Sequence, residues 1–229
     1  MTTLRGEFEI RKKEIEGYFS FIEMIASDGA TVSFVDTEGN PVSRPVDKDV
    51  AKTLKAAGFL LLYNLVESAM TNAIGAIFDE LKQKRVNFDT VREELKRVAI
   101  DNLKRNGGRD LHASIQDLSV DILTAAFDRS KIFSGNLDAR KIREAAEEYG
   151  FSATTNARLT NNGKSLLTVK TNRNDLGHGD KSFSEVGRDY EMMRLAEIKT
   201  EAIAYLSDII GNIEKYISEM HYLAAPPNS

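Results

Sequence analysis

A chain of 229 residues with 41% hydrophobic and 29% charged residues, no cysteine, three histidines and a net charge of −4 has the composition of a globular domain. These counts exclude disulfides, thiolate metal sites and a cysteine nucleophile, and they leave too few histidines for a histidine-rich metal cage. They also argue against a chain that coats nucleic acid by bulk positive charge, though a local basic patch is still allowed. The length predicts a single domain over 1–229. No run approaches ~20 apolar residues, and Met1 to Glu7 has no signal-peptide layout, so a cytoplasmic protein with no membrane partner is expected.

The dominant period is helical. Over residues 4–25, Leu4, Phe8, Ile15, Tyr18, Phe19, Ile22 and Ile25 form one broad stripe, and Asp28-Gly29 ends the helix. Residues 28–47 differ: Thr31 to Val35 alternate, Asp36 to Asn40 are turn-like, and Pro41 and Pro45 follow, which predicts a short hairpin or an ordered loop. A long helix then runs from about Val46 to Lys84, with Asp47 as its N-cap. Phe59 to Val66 is apolar on most sides, as in a central buried helix, with Asn64 the exception and with Tyr63 and Asn64 as packing residues.

From Lys82 to Arg109 there are nine lysines and arginines against four acids, on an amphipathic helix that Asn106-Gly107-Gly108 should stop. Further helices are expected over about 111–128 and from Leu137 to Gly150, followed by a polar segment over 152–163. In the C-terminal helix, Leu195, Ile198, Ala202, Leu206, Ile209, Ile213, Tyr216 and Met220 are three or four apart, the spacing of a bundle seam. Ser182 with Glu185 predicts the capping box that starts it. The fold class is all-α, a helical bundle.

Ahead of that helix lies Arg173-Asn174-Asp175-Leu176-Gly177-His178. In an unbroken helix, residues five apart point about 140° away from each other. Gly177 and Gly179 relax this constraint, and a helix ending near Gly177 would let Arg173 and His178 reach one cavity. By composition, an arginine followed by asparagine and placed five before a histidine arises by chance only about 0.01 times in such a chain.

This segment resembles the signature of the HEPN superfamily (higher eukaryotes and prokaryotes nucleotide-binding): an arginine, a polar residue, and a histidine after a short spacer. The stretches Leu60 to Ser68, Ser134 to Ile142 and His178 to Gly187 are similar to the MAE-like branch of HEPN nucleases, so the likeness extends over most of the chain. The resemblance implies a HEPN-type bundle with the 28–47 segment as an insertion. It also implies a homodimer whose two motifs face one cleft, and an endoribonuclease without metal or cofactor that cleaves RNA by attack of the ribose 2′-hydroxyl. His178 would transfer protons, Arg173 would stabilise charge on the phosphate, and Asn174 would orient the phosphate.

Glu67, on an apolar helix, is a candidate to hold Arg173 or His178 from behind, or it faces solvent. Lys170, Arg97 and Lys104 are candidates to hold the RNA backbone. The resemblance also implies a toxin or antiviral defence effector with an antitoxin or defence-system partner. Asp180 stands two residues after the histidine, where some HEPN toxins carry a tyrosine that their antitoxin modifies, so that mode of neutralisation does not carry over. Two alternatives stay open: a catalytically silent HEPN dimer that binds a partner protein or nucleotide, and a nucleic-acid regulator centred on Arg140, Lys141 and Arg143.

Overall fold

The computed structural model describes residues 3–105, 133 and 135–224. The expected helix over 111–128, its preceding Gly-Gly stop, His112 and the tail from Ala225 lie outside the described residues.

Helix α1 (Leu4–Ile25) opens on Thr3, whose hydroxyl accepts from the Gly6 N–H, and it buries Phe8, Ile15, Phe19 and Ile22. The expected hairpin follows as β1 (Thr31–Val35) and β2 (Pro41–Pro45), an antiparallel pair in which Thr31 faces Pro45 and Val35 faces Pro41. Helix α2 (Lys48–Gln83) starts at Asp47, whose carboxylate accepts from the Asp49 and Val50 N–H groups. It is the central element, packed by α1 and by three later helices, and it buries Phe59, Leu62, Tyr63, Leu65, Val66 and Met70 among others. Asn64 is exposed rather than a packing residue, because it falls on the narrow arc of α2 turned away from the described core. By length and hydropathy α2 could pass for a membrane span, but its apolar surface lies in the shared core.

The basic stretch does not form one continuous helix. The chain turns at Arg85, with φ 48°, makes a short 3-10 turn at Phe88–Thr90 capped by Asn87, and re-enters a helix as α3 (Glu93–Arg105). Two contacts hold this path: Val91 pairs with the distant Leu223 across a β-bridge, and the Asn87 side chain accepts from the Asp89 N–H, so residues 86–92 are committed to other partners. Helix α4 (Ala139–Tyr149) begins at Asp138, whose carboxylate accepts from the Lys141 N–H, and ends at Gly150 with φ 80°.

The polar segment after α4 contains α5 (Ala157–Thr160), capped by Asn156, and a 3-10 turn at Asn161–Gly163. Then come α6 (Lys164–His178), α7 (Phe183–Arg188) and α8 (Met192–Ser218). The Ser182–Glu185 capping box forms as expected, but it starts the six-residue α7 rather than the last helix. The chain breaks again after α7 because Tyr190 turns inward, its ring edge-on to Phe59 at 4.8 Å and its carbonyl held by Lys55 Nζ at 2.6 Å. The seam of α8 is buried from Leu195 to Tyr216, whereas Met220 lies beyond the helix end and is exposed.

One close approach sets the spacing of the bundle. A β-carbon at Gly187 would collide with the backbone carbonyl of Lys52, so α7 lies directly against α2. The small α7 is thereby locked to the central helix. The class is all-α with a small two-stranded insertion, and one core cluster joins residues from Phe8 to Tyr222.

Candidate active site

Helix α6 carries the motif. Lys170, Arg173 and Asn174 lie at i, i+3 and i+4, on one face of the helix. All three reach the segment that leads into α4, and each holds a different residue of it. Lys170 Nζ pairs with the Asp138 carboxylate. Arg173 Nη1 donates to the Gly135 carbonyl at 3.3 Å and to Asn174 Oδ1 at 3.0 Å. Asn174 Nδ2 donates to Asn136 Oδ1 at 3.0 Å. The Leu137 N–H between them donates to the Tyr63 hydroxyl at 3.1 Å. Residues 135–138 are thus pinned at every position, by α6 from one side and α2 from the other.

Tyr63 has a second task. Its ring carries the Arg173 guanidinium at 4.4 Å, a cation–π contact that orients the fork. Burial raises the Tyr63 phenol above its ordinary pKa; the Leu137 N–H and the Arg173 charge act against this, and Glu67 one turn further along adds to it. Glu67, half-buried, therefore lies by the Tyr63 hydroxyl rather than among the described partners of Arg173 or His178. Arg173 is half-buried, and its two described hydrogen bonds both use Nη1; Nη2 also lies near Gly135, 4.0 Å from where a β-carbon there would stand.

His178 occupies different surroundings. It is exposed in the last turn of α6, which runs through Gly177 and is capped by Gly179 at φ 77°. The helix does end next to Gly177, but only after His178, so its end comes too late to turn His178 toward Arg173. Gly179 takes the left-handed conformation that glycine adopts without cost, and the Asp175 carbonyl collects the N–H groups of Gly179 and Asp180. Arg173 and His178 therefore keep helical phase, about 140° and about 7.5 Å of rise apart. Within one chain they face different directions.

The remaining candidates divide. Lys170, expected to hold RNA, is instead engaged with Asp138, a buried carboxylate that also caps α4; a lysine in that role is structural. Arg97 is exposed on α3, which packs on α4 rather than on α6. The side chain of Lys104 is outside the described residues. Arg140 and Lys141 are both paired with Glu144 on the outer face of α4. His221 is exposed beside Glu219. Among the described residues, no group of three or more histidine, aspartate or glutamate side chains is placed to hold a metal ion.

Tyr63, Gly135, Asn136 and Asp138 were not expected as site residues. Their signal was present in the sequence only as the blocks 60–68 and 134–142, two stretches far apart in the chain that the fold brings onto α6.

A helical bundle with Arg173, Asn174 and His178 on the penultimate long helix has the architecture and the motif of the HEPN class. The family model for MAE_28990-like HEPN matches residues 1–222, and the chain belongs to that family. No curated protein and no solved structure matches it.

Proposed function

We propose that the chain is a metal-independent endoribonuclease that acts as a homodimer, in the setting of a toxin or antiviral defence system. The observation that carries this reading is the Arg173 guanidinium, stacked on Tyr63, fixed through Nη1 and held beside Asn174 on the helix that also carries His178. A preorganised fork of this kind suits a phosphate whose charge grows in the transition state.

In this reading the ribose 2′-oxygen attacks the adjacent phosphorus as a histidine takes its proton. The bond from phosphorus to the 5′-oxygen breaks, and that oxygen leaves with a proton from a second histidine. The products are a 2′,3′-cyclic phosphate and a 5′-hydroxyl. One chain supplies one His178, so the second comes from a second copy. The helical phase between Arg173 and His178 supports the same conclusion, since one copy alone directs them to different sides.

The test is cleavage of single-stranded RNA in excess chelator, with the ends identified. Cyclic phosphate ends at undiminished rate support the proposal. Loss of cleavage in chelator, or linear 5′-phosphate ends, refutes it. The fixed contacts of Arg173 with Gly135 and Tyr63 favour one alternative, a catalytically silent bundle in which the arginine is purely structural. That alternative predicts no cleavage at all.

A further inference from the structure

The hairpin presents two edges of opposite character. Val46 N–H donates to the Ala30 carbonyl at one end of the ladder, and Asp36 N–H donates to Asn40 at the other. With Thr31 opposite Pro45 and Val35 opposite Pro41, alternation places the N–H and C=O groups of residues 30, 32, 34 and 36 between the strands. Those of Thr31, Ser33 and Val35 point outward. On β2 the outward positions are Pro41, Ser43 and Pro45, so that edge has lost two of its three N–H donors to proline. Edge strands are commonly protected in this way, by proline or charge. β2 has both, with Arg44 on its surface, whereas β1 (Thr-Val-Ser-Phe-Val) has neither.

The edge of β1 is also exposed. All five residues are on the surface, with Val35 at 68% and Val32 at 46%. Among the exposed large apolar residues, Val32, Phe34 and Val35 lie on β1 itself, and Phe21, Met24 and Val50 lie on the two helices that flank the hairpin in sequence.

We propose that β1 is a dimerisation strand, pairing antiparallel with β1 of a second copy about a two-fold axis through Ser33. The register makes the strand complementary to itself. Ser33 lies opposite Ser33 of the copy and Thr31 opposite Val35, so every outward N–H and C=O of β1 meets a partner. On one face Val32 then lies against Phe34 of the copy, an apolar cross-strand pair made twice by symmetry. No charge on β1 opposes a like charge. The occupant is a second copy because the strand Thr31–Val35 meets all three conditions against itself in one register. The inference concerns association without RNA and stands whether or not the chain is a nuclease.

The absence of cysteine makes the test direct. Ser33→Cys, oxidised in the full-length protein, is expected to give a disulfide-linked dimer, since directly opposed strand residues lie within disulfide reach. Ser43→Cys, on the proline-flanked edge, should remain uncrosslinked. Ser33→Pro removes an outward N–H without breaking the bonds between β1 and β2. In sedimentation velocity over a dilution series it should weaken self-association at least tenfold, while Ser43→Pro matches the parent. Equal crosslinking at both positions, crosslinking at neither, a parent that stays monomeric, or a Ser33→Pro chain that associates like the parent would each overturn the proposal. The last result would place association on another face and leave the nuclease proposal intact.

Discussion

Arg173 and His178 sit five residues apart on one helix, and the structure treats them in opposite ways. The turn around Arg173 is held by Tyr63, Gly135, Asn174 and Asn136, and its neighbour Lys170 is paired with a buried acid. The turn around His178 faces solvent, and a β-carbon on Gly177 would meet nothing within 4 Å. One half of the motif is built into the bundle and the other projects from it. A residue that serves both the scaffold and the chemistry cannot be changed without disturbing the fold, whereas a residue that serves only the chemistry can.

The largest expected effect separates the two roles. His178→Ala should lower RNA cleavage by about 10²- to 10⁴-fold, the usual worth of a proton-transfer group. Its urea unfolding curve should overlay that of the parent, since an exposed side chain without packing contributes within about 0.5 kcal/mol. Arg173→Ala should lose activity and also stability.

Asp138→Ala probes the built half. It strands Lys170 in a largely buried site and removes the α4 cap, and should cost about 3 kcal/mol. The sign of its pH dependence follows from the shift. Burial by itself would raise the Asp138 carboxyl, but the bonds from Lys170 and the Lys141 N–H, with nearby positive charge, hold it below its ordinary value. Its contribution is therefore present above the unfolded carboxylate value of about 4 and is lost as pH falls through the lower folded one. Acid titration of stability in parent and Asp138→Asn would reveal this as a shallower acid limb in the variant.

Gly187→Ala forces a β-carbon into the Lys52 carbonyl, where backbone must yield, and should cost about 1–3 kcal/mol by thermal unfolding. The smallest effect belongs to the free half. Gly177→Ala sits inside a helix with open space around it, so it should stabilise by about 0.5 kcal/mol and leave cleavage unchanged. If it instead lowers activity, the last turn of α6 must bend during catalysis.

Much of the architecture was legible in the sequence because periodicity reports burial. The stripes of α1 and α8, the Asp47 cap, the hairpin and the Gly150 stop all follow from local patterns. The misplaced boundaries share one cause. The turn at Arg85 and the break at Tyr190 are imposed by partners distant in the chain, Leu223 in one case and Phe59 in the other. Local pattern carries no trace of them.

The site divides along the same line. Arg173, Asn174 and His178 form a compact motif that composition makes improbable by chance. The clamp around them draws Tyr63, Asn136 and Asp138 from two distant segments, and only the fold assembles it. Lys170 illustrates the hazard: a lysine three residues before Arg173 suggests RNA contact, but here its charge is spent on Asp138.

In the proposed nuclease, His178 acts in chemistry and not in structure. Its most direct test is the rate of RNA cleavage in excess chelator by His178→Ala beside the parent, under conditions where both are fully folded. A fall of at least about 100-fold with an unchanged unfolding midpoint is the predicted result. Cleavage at the parent rate would remove His178 from the reaction.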